Sequence, residues 1–328
     1  MKKITAQTNA NIALVKYWGK KNEELRLPVN SSLSITLDQV FTQTTVEFEK
    51  NLKKDLIEID GTVFSGEESK RVIKHLDRIR KLAKIKTKAR VKTKNNFPKK
   101  VGAASSASGF AALSVAGAKA AGLDLSEKKL SILARQGSGS ACRSIAGGFN
   151  IWQAGTNNET SFAQTISYPE EWDLRILLVF VGKMQEKKVG SSEGMKLATT
   201  SPFYQQAVIE AEKNLAKMKQ SLREKNWSEF GKIVEQECFR LHTLCLTSDP
   251  YIPYWEGTTF DIFHKLIALR GNGVDGFFTS DAGPHVHIIC KAKDVARIKN
   301  ELRKIAGVAK IVESCVGGKA KLLNQHLF

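Results

Sequence analysis

The sequence predicts an α+β protein of two domains, and three observations carry that expectation. The chain has 328 residues, about two domains at roughly 150 residues each. Its N-terminal half intersperses segments of alternating β-formers with two helical stretches. Its C-terminal half runs through three helices and then strand, strand, helix and strand, the order of an α+β unit. With 42% hydrophobic residues, the core is not limited by chain length, and folding requires neither a disulfide nor a metal staple.

Taken in order, residues 42–49 alternate and are rich in β-formers, which predicts a strand. Leu56-Ile57-Glu58-Ile59, Asp60-Gly61 and Thr62-Val63-Phe64 spell a hairpin with a tight turn. Ser65 with Glu68 has capping-box spacing, opening a helix to about Ala83. A strand follows over Lys88 to Thr93. The Ala-rich stretch from Gly109 to Ala121 predicts a closely packed helix stopped by Gly122. Leu174 to Val181 reads as a buried strand. The helix near Tyr204 to Lys225 carries Val208, Ala211, Leu215, Met218 and Leu222 at helical spacing. Ser228 to Leu246 does the same with Phe230, Val234, Cys238 and Leu241, and a third helix runs from Thr259 to Arg270. Strands at Asp275–Thr279 and Val286–Lys291, a helix at Asp294–Ile305 and a strand at Ala309–Ser314 complete the chain. The polar stretch at 182–192 is the natural boundary, dividing the chain into 1–186 and 187–328.

Composition excludes several classes. A chain this rich in Ile, Leu, Val and Phe is not disordered. The longest clean apolar run, Ile176 to Val181, is far short of the roughly 20 residues of a membrane span. No apolar h-region follows the N-terminal lysines, so no signal peptide is expected. The five cysteines are widely spaced and form no CxxC pair, which suits free thiols in a reducing, cytoplasmic setting. No HExxH or similar metal-ligand spacing occurs, and the metal ligands stay unassigned.

The net charge of +18 is concentrated. Between Lys70 and Lys100 stand 14 basic residues, opposed only by Asp77. Nucleic-acid binding is one reading; a solvated surface and steering of a small polyanion are the others. Phe97 is the single aromatic there, so the stacking platform of single-strand binders is missing and nucleic acid is disfavoured.

Four segments carry candidate chemistry. Residues 95–109 run a loop of small and hydroxyl residues into a helix, with Ser105, Ser106, Ser108 and Gly109 where backbone N–H groups and hydroxyls can meet phosphate. An ordinary Ser-rich helix start would look the same. Residues 136–148 alternate Gly and Ser (Ser138, Gly139, Ser140) before Arg143, a two-point clamp for carboxylate or phosphate, or a flexible turn with an exposed Arg. Asp281, between a Phe-rich strand and Gly283-Pro284, is either a turn former or a general base. Lys16 and Lys20 flank Tyr17-Trp18 beside Gly19, which suits a polyanionic substrate or a packed strand end.

Together these strings resemble one family. Ala10-Asn11-Ile12-Ala13-Leu14-Val15-Lys16-Tyr17-Trp18-Gly19-Lys20, Leu27-Pro28-Val29-Asn30-Ser31-Ser32-Leu33-Ser34, Ala104-Ser105-Ser106-Ala107-Ser108-Gly109, Gly137-Ser138-Gly139-Ser140-Ala141-Cys142-Arg143-Ser144, Gly194-Met195 and Asp281-Ala282-Gly283-Pro284 are similar to the diphosphomevalonate decarboxylases of the GHMP kinase superfamily, in the same order. The resemblance implies a ribosomal-protein-like N-terminal α/β domain with a left-handed βαβ crossover and a ferredoxin-like C-terminal domain. It implies ATP and Mg2+ as cofactors and 5-diphosphomevalonate as substrate, phosphorylated on its 3-hydroxyl and decarboxylated to isopentenyl diphosphate. It also implies a homodimer.

By the same motif match, Asp281, Arg143 and Lys16 are catalytic. Tyr17, Lys20, Ser138, Gly139, Ser140, Arg143 and Ser191 bind substrate, and Ser105, Ser106, Ser108 and Gly109 bind nucleotide phosphates. Two departures stand out. Lys99-Lys100-Val101 replaces the middle of a common Pro-Thr-Ala-Ala-Gly string, and Ser192 stands where some bacterial relatives carry Arg. The alternatives are a phosphomevalonate decarboxylase, a mevalonate-type 3-kinase that does not decarboxylate, and a basic nucleic-acid-binding protein.

Overall fold

The computed structural model describes residues 2–97, 104–182 and 189–328. The chain forms β1 (Ile4–Val15), β2 (Lys20–Asn22), β3 (Leu27–Pro28), β4 (Ser32–Glu49), β5 (Leu56–Ile59), β6 (Thr62–Phe64), α1 (Gly66–Ala83), β7 (Lys88–Asn95), α2 (Ala104–Ala120) and α3 (Glu127–Gly137). A 3-10 turn at Gly139–Ser144 leads to β8 (Phe149–Trp152) and β9 (Ala163–Ser167). Then come β10 (Leu174–Val181), α4 (Ser191–Leu197), α5 (Tyr204–Glu224), α6 (Trp227–Leu246), α7 (Gly257–Gly271), β11 (Gly276–Thr279), β12 (Val286–Lys291), α8 (Val295–Leu302), β13 (Val308–Cys315) and β14 (Lys321–Leu323).

Two sheets organise these elements. The first has the order β14-β1-β4-β7-β5-β6, with β8 paired to the early half of β4 and β9 beyond it. The second has the order β11-β12-β10-β13. Leu174–Val181 therefore lies at the centre of the second sheet, upstream of the 186/187 division read from the sequence, while β14 returns to the first sheet. Residues 183–188 of that division lie outside the described residues.

Local chemistry accounts for most elements. The predicted hairpin forms on Asp60 and Gly61, whose φ values of 49° and 79° are those of a primed turn. Helix α1 starts where expected, but Ser65 makes no side-chain cap and the side chain of Glu68 lies outside what is described. Helix α2 begins earlier than expected and buries small residues against β1 and β4. Its Gly117 lets α1 approach, since a Cβ there would lie 2.7 Å from Ile79.

Strand β1 covers Ile4–Val15, so a strand does end just before the Lys16–Lys20 segment, and it starts well upstream of anything read from the sequence. It shows no alternation because both of its faces are covered, and 10 of its 12 residues are buried. Its pairing with β4 shifts register between Asn9 and Asn11 and between Ala13 and Val15, and such bulges bend a strand and re-aim its side chains.

Three apolar cores result. One lies between the sheets, joining β1, β4 and β8 to β10, α5 and α6. A second packs α1, α2 and α3 on the first sheet, and a third packs α7 and α8 on the second. An aromatic group containing Tyr17, Trp18, Trp152, Tyr204 and Tyr254 floors the cleft where the two halves meet.

Candidate active site

Lys16 follows β1 directly, and its backbone is held from the other half of the molecule. The Lys16 N–H donates to Glu237 Oε2 at 2.8 Å, and its carbonyl accepts from Asn30 Nδ2 at 3.0 Å and Arg240 Nη2 at 3.1 Å. Glu237 is fully buried and also binds Asn214 and Arg240. It lies on the stripe that buries Val234, Cys238 and Leu241, so the packing of α6 aims a carboxylate at the end of β1. So fixed, Lys16 Nζ donates to Ala13 O and to Asp281 Oδ1, both at 2.8 Å.

Asp281 sits in the turn between β11 and β12, closed by Gly283 N–H to Asp281 O at 2.8 Å. The Lys16 side chain is 1% exposed while Asp281 keeps 30%, so the carboxylate faces the cleft from an ammonium that cannot turn away. Burial pushes the Asp281 carboxyl up, but Lys16, His287 and Arg143 outweigh it and hold it at about 2. His242 lies behind this pair, pushed down to about 3 by burial and Lys16 against an opposing pull from Asp281.

Arg143 comes from the 3-10 turn on the opposite wall. Its Nε donates to Asn11 Oδ1 at 2.9 Å and Nη1 to Ser32 Oγ at 3.0 Å. Asn11 is itself oriented by the Ser140 carbonyl and Ser144 Oγ. These partners are neutral, so they leave the guanidinium's charge uncompensated, and Nη2 has no hydrogen-bond partner among the described residues, an arrangement suited to a carboxylate. The turn fits because Gly139 has no Cβ; one there would stand 2.8 Å from the Tyr17 hydroxyl.

Lys16, Tyr17, Ser140, Arg143, Ser191 and Asp281 line one cleft. Lys20 is nearby in sequence but pairs with Glu23 at 2.7 Å. Ser138 and Gly139 link the cleft to α2, where Ser106 Oγ donates to Ser138 Oγ at 2.9 Å. Beyond Ser106 and Gly109 opens a cavity of about 310 Å³ walled by Ile57, Ile59, Phe64, Val91 and Leu113, with Asp60, Thr93 and Asn95 as polar groups. An apolar slot with a few polar atoms beside a hydroxyl-bearing helix start suits a nucleotide base. Ser108 points elsewhere: it is buried, with its hydroxyl 2.7 Å from Thr42 Oγ1. The side chain of Ser105, and Lys99-Lys100-Val101, lie outside the described residues.

Reading the motifs did not find Asn11, Ser32, Glu237 or Arg240 as site residues. Asn11 and Ser32 were inside the quoted strings. Glu237 had a signal of its own, a carboxylate on an otherwise apolar helical stripe.

The chain is similar in sequence and fold to proteins of known kind. The chain matches the diphosphomevalonate decarboxylase-like N-terminal domain over residues 8–163 and the mevalonate 5-diphosphate decarboxylase C-terminal domain over 177–326. Diphosphomevalonate decarboxylase of Homo sapiens is 35% identical over 317 residues, 89% of this chain and 78% of that protein. Phosphomevalonate decarboxylase of Haloferax volcanii is 31% identical, covering 98% of both chains. The mevalonate diphosphate decarboxylase from Enterococcus faecalis, solved in complex with MVAPP, AMPPCP and magnesium, is 38% identical with a TM-score of 0.92, again over 98% of both chains. Both halves match along nearly their whole length, and the GHMP kinase fold expected from the strings is the fold observed. The chain therefore belongs to the diphosphomevalonate decarboxylase family.

Proposed function

We propose that the chain converts 5-diphosphomevalonate and ATP to isopentenyl diphosphate, ADP, phosphate and carbon dioxide, a step of isoprenoid synthesis by the mevalonate route. The observation that carries this reading is the Lys16–Asp281 pair facing Arg143 across one cleft. In the first step the substrate's 3-hydroxyl oxygen forms a bond to the γ-phosphorus of ATP, and ADP leaves. Asp281 orients that hydroxyl and takes its proton. At about 2 the carboxylate is charged but weakly basic; a bound polyanion offsets Lys16 and Arg143 and raises its basicity when substrates are in place. In the second step the substrate's own C3–O bond breaks, the phosphate departs with that oxygen and the bond's electron pair, and the C–C bond to the carboxylate supplies the electrons of the new double bond. Arg143 holds the carboxylate in line for this until carbon dioxide leaves. Tyr17, Lys20, Ser138, Gly139, Ser140 and Ser191 contribute to substrate binding.

The cavity beside Ser106 and Gly109 suits the adenine of ATP, which motif reading left unplaced; Ser105 and Ser108 are proposed here with them only as parts of the phosphate loop. No group of three or more His, Cys, Asp or Glu suited to a metal occurs among the described residues. Mg2+ would be carried chiefly on nucleotide phosphates and its own waters, and Asp281 and Ser106 would be the oxygens the protein could offer it. Mg2+ so bound would neutralise charge on the transferring phosphoryl group.

No helix among the described residues is long and apolar enough to cross a membrane. The five cysteines are unpaired, which favours a cytoplasmic setting; a homodimer completes the proposal, to be checked by sedimentation. The Haloferax relative, matched end to end, keeps the monophosphate as a second substrate reading. The deciding experiment supplies purified protein with MgATP and 5-diphosphomevalonate and follows ADP, free phosphate and isopentenyl diphosphate together. Equal amounts of all three are expected. ADP without free phosphate would mean a 3-kinase, and turnover of the monophosphate alone would select the second reading.

A further inference from the structure

Lys16 and Asp281 come from different sheets. Lys16 follows β1 of the first sheet, and Asp281 follows β11 of the second. No strand pairing among the described residues joins β1 to β11. Their 2.8 Å contact therefore depends on the element that spans them, and that element is α6.

Helix α6 grips both sides. Toward β1, Glu237 accepts the Lys16 N–H and Arg240 donates to the Lys16 carbonyl. Toward the second sheet it meets β11, an edge strand whose outward N–H groups need partners from outside the sheet. The Phe278 N–H donates to Glu235 Oε1 and the Ser280 N–H to Cys238 Sγ, both at 3.2 Å. Phe278 and Ser280 are two apart, as groups on one strand edge are. Glu235 and Cys238 are three apart, neighbours on a helix. His242 stands four further on and lies against the Ser280 and Asp281 backbone. Glu235, Cys238 and His242 thus follow the backbone of β11 into the turn that carries Asp281.

The fit is close. Gly231 seats α6 on β11, because a Cβ there would overlap the Phe277 ring. Glu235 is fixed by Arg270 of α7, which also holds the Gly276 carbonyl at 3.1 Å. His242 is buried, and its ring stacks on Trp255 with centroids 4.0 Å apart while Tyr254 meets it edge-on at 6.1 Å. Burial pushes the Cys238 thiol up to about 12 and His242 down to about 3, so both are neutral near pH 7. Neither lines the cleft. They bring no charge and no proton to the reaction, and what they do supply is placement.

We propose that α6 is the spacer that sets the Lys16–Asp281 distance, and that Cys238 and His242 are positioning residues that hold the Asp281 carboxylate through the Ser280–Asp281 backbone. Placement at this precision matters to rate, since a shift of about 1 Å at a reacting group can cost roughly a hundredfold. The rate readout of this inference rests on the function proposed above; its structural readout does not.

The test is a Cys238→Ala/His242→Phe double variant, which removes the thiol acceptor and the ring nitrogens but keeps an aromatic ring against Trp255. Its kcat for 5-diphosphomevalonate should fall roughly tenfold to a hundredfold, while KM for each substrate stays within about twofold. A pH profile separates placement from general damage. In wild type Lys16 helps hold the Asp281 carboxyl at about 2, so kcat/KM shows no Asp281 limb between about pH 5 and 8. Displaced from Lys16, Asp281 keeps its burial but loses its compensating charge, and its acid limb should rise into that window. Cys238→Ser in place of Cys238→Ala restores an acceptor and should recover part of kcat.

A crystal structure of the double variant reads the Lys16 Nζ to Asp281 Oδ1 separation directly, and it should exceed hydrogen-bond distance. Full kcat with an unshifted limb would overturn the proposal. So would lost kcat with an unshifted limb and the pair still in contact. If the double variant does not fold, Cys238→Ala alone carries the same comparison. If the pair separates in the variant but wild type turns over no diphosphomevalonate, the function fails and the spacer stands.

Discussion

At the reacting end of the cleft the charges of Lys16, Asp281, Glu237 and Arg240 are partnered within the chain. At the basic cavity that adjoins the cleft beside Gly137, Arg26, Arg71, Lys74 and Arg78 have no ion-pair partner among the described residues. Each region has a buried histidine behind it, and these report the difference. His242 is lowered by burial and by Lys16, but Asp281 pulls it back. His75 is lowered by burial, then by Arg78 and Arg26, with nothing opposing. Internal pairing fixes geometry before substrate arrives, as positioning catalysis requires. Unpaired charge gives up some stability and keeps its full attraction for a ligand. Arg143 is intermediate, rigidly held by neutral groups yet electrically free.

The largest expected effect removes the paired carboxylate. Asp281→Asn keeps the shape but removes the charge and the base, and kcat should fall roughly ten-thousandfold, the upper range for a lost general base. ATP affinity, read by calorimetry, should change little. Activity near wild type would take Asp281 out of the mechanism and leave its pairing with Lys16 purely structural.

Next is the buried clamp. Glu237→Ala leaves the Lys16 N–H and Asn214 without their acceptor and Arg240 without its counter-charge, a change of about 3–5 kcal/mol in unfolding free energy. Glu237→Gln retains an acceptor but not the charge, and should unfold less readily than the alanine variant while still losing kcat. A Gln variant with full kcat would show that Lys16 is positioned without α6.

These two residues also show what the sequence made legible. Asp281, Arg143 and Lys16 stand in strings specific enough to be read together, and the cleft brings them together. The strands and helices with clean period or turn chemistry, such as the Asp60-Gly61 hairpin, were readable for the same reason that they form. The central strand β1 was only half visible because burial on both faces erases alternation. The membership of β10 in the second sheet was invisible, because pairing is set by partners more than 100 residues away at Val286–Lys291 and Val308–Cys315. Ser108 shows the limit of a motif: it stands in the phosphate-loop string, yet its hydroxyl is committed to Thr42. The charge run at 70–100 was visible as composition, but only the fold separates Arg80, bound by two aspartates, from Arg71, Lys74 and Arg78, which share a cavity.

A comparable effect, spread over several pH units and therefore small at any one pH, follows from the histidines. Both His75 and His242 are held at about 3 when folded, below the roughly 6.5 of an unfolded histidine. The unfolded state therefore binds more protons between these values, so their contribution is full above about 6.5 and is lost as pH falls toward 3. Unfolding free energy measured across that window should fall by up to about 1.4 kcal/mol per pH unit for each histidine. Saturating pyrophosphate should soften the His75 part by countering Arg78 and Arg26, and leave the His242 part unchanged. Equal softening of both would mean that the anion binds at the reacting end.

The smallest effect has the opposite sign from the others. Arg78→Gln removes one like charge from α1, whose repulsion with Lys74 at i−4 costs the helix about 0.2–0.5 kcal/mol. Without ligand the variant should be as stable as wild type or a few tenths of a kcal/mol more stable, read by chemical denaturation at low salt. With saturating pyrophosphate the order should reverse, because wild type gains more by binding. A charge whose removal stabilises the free protein and destabilises the bound one is held for its ligand. If Arg78→Gln instead lowered stability in both states, Arg78 would be a structural residue like Arg80, and the contrast between the two ends of the cleft would reduce to one of exposure.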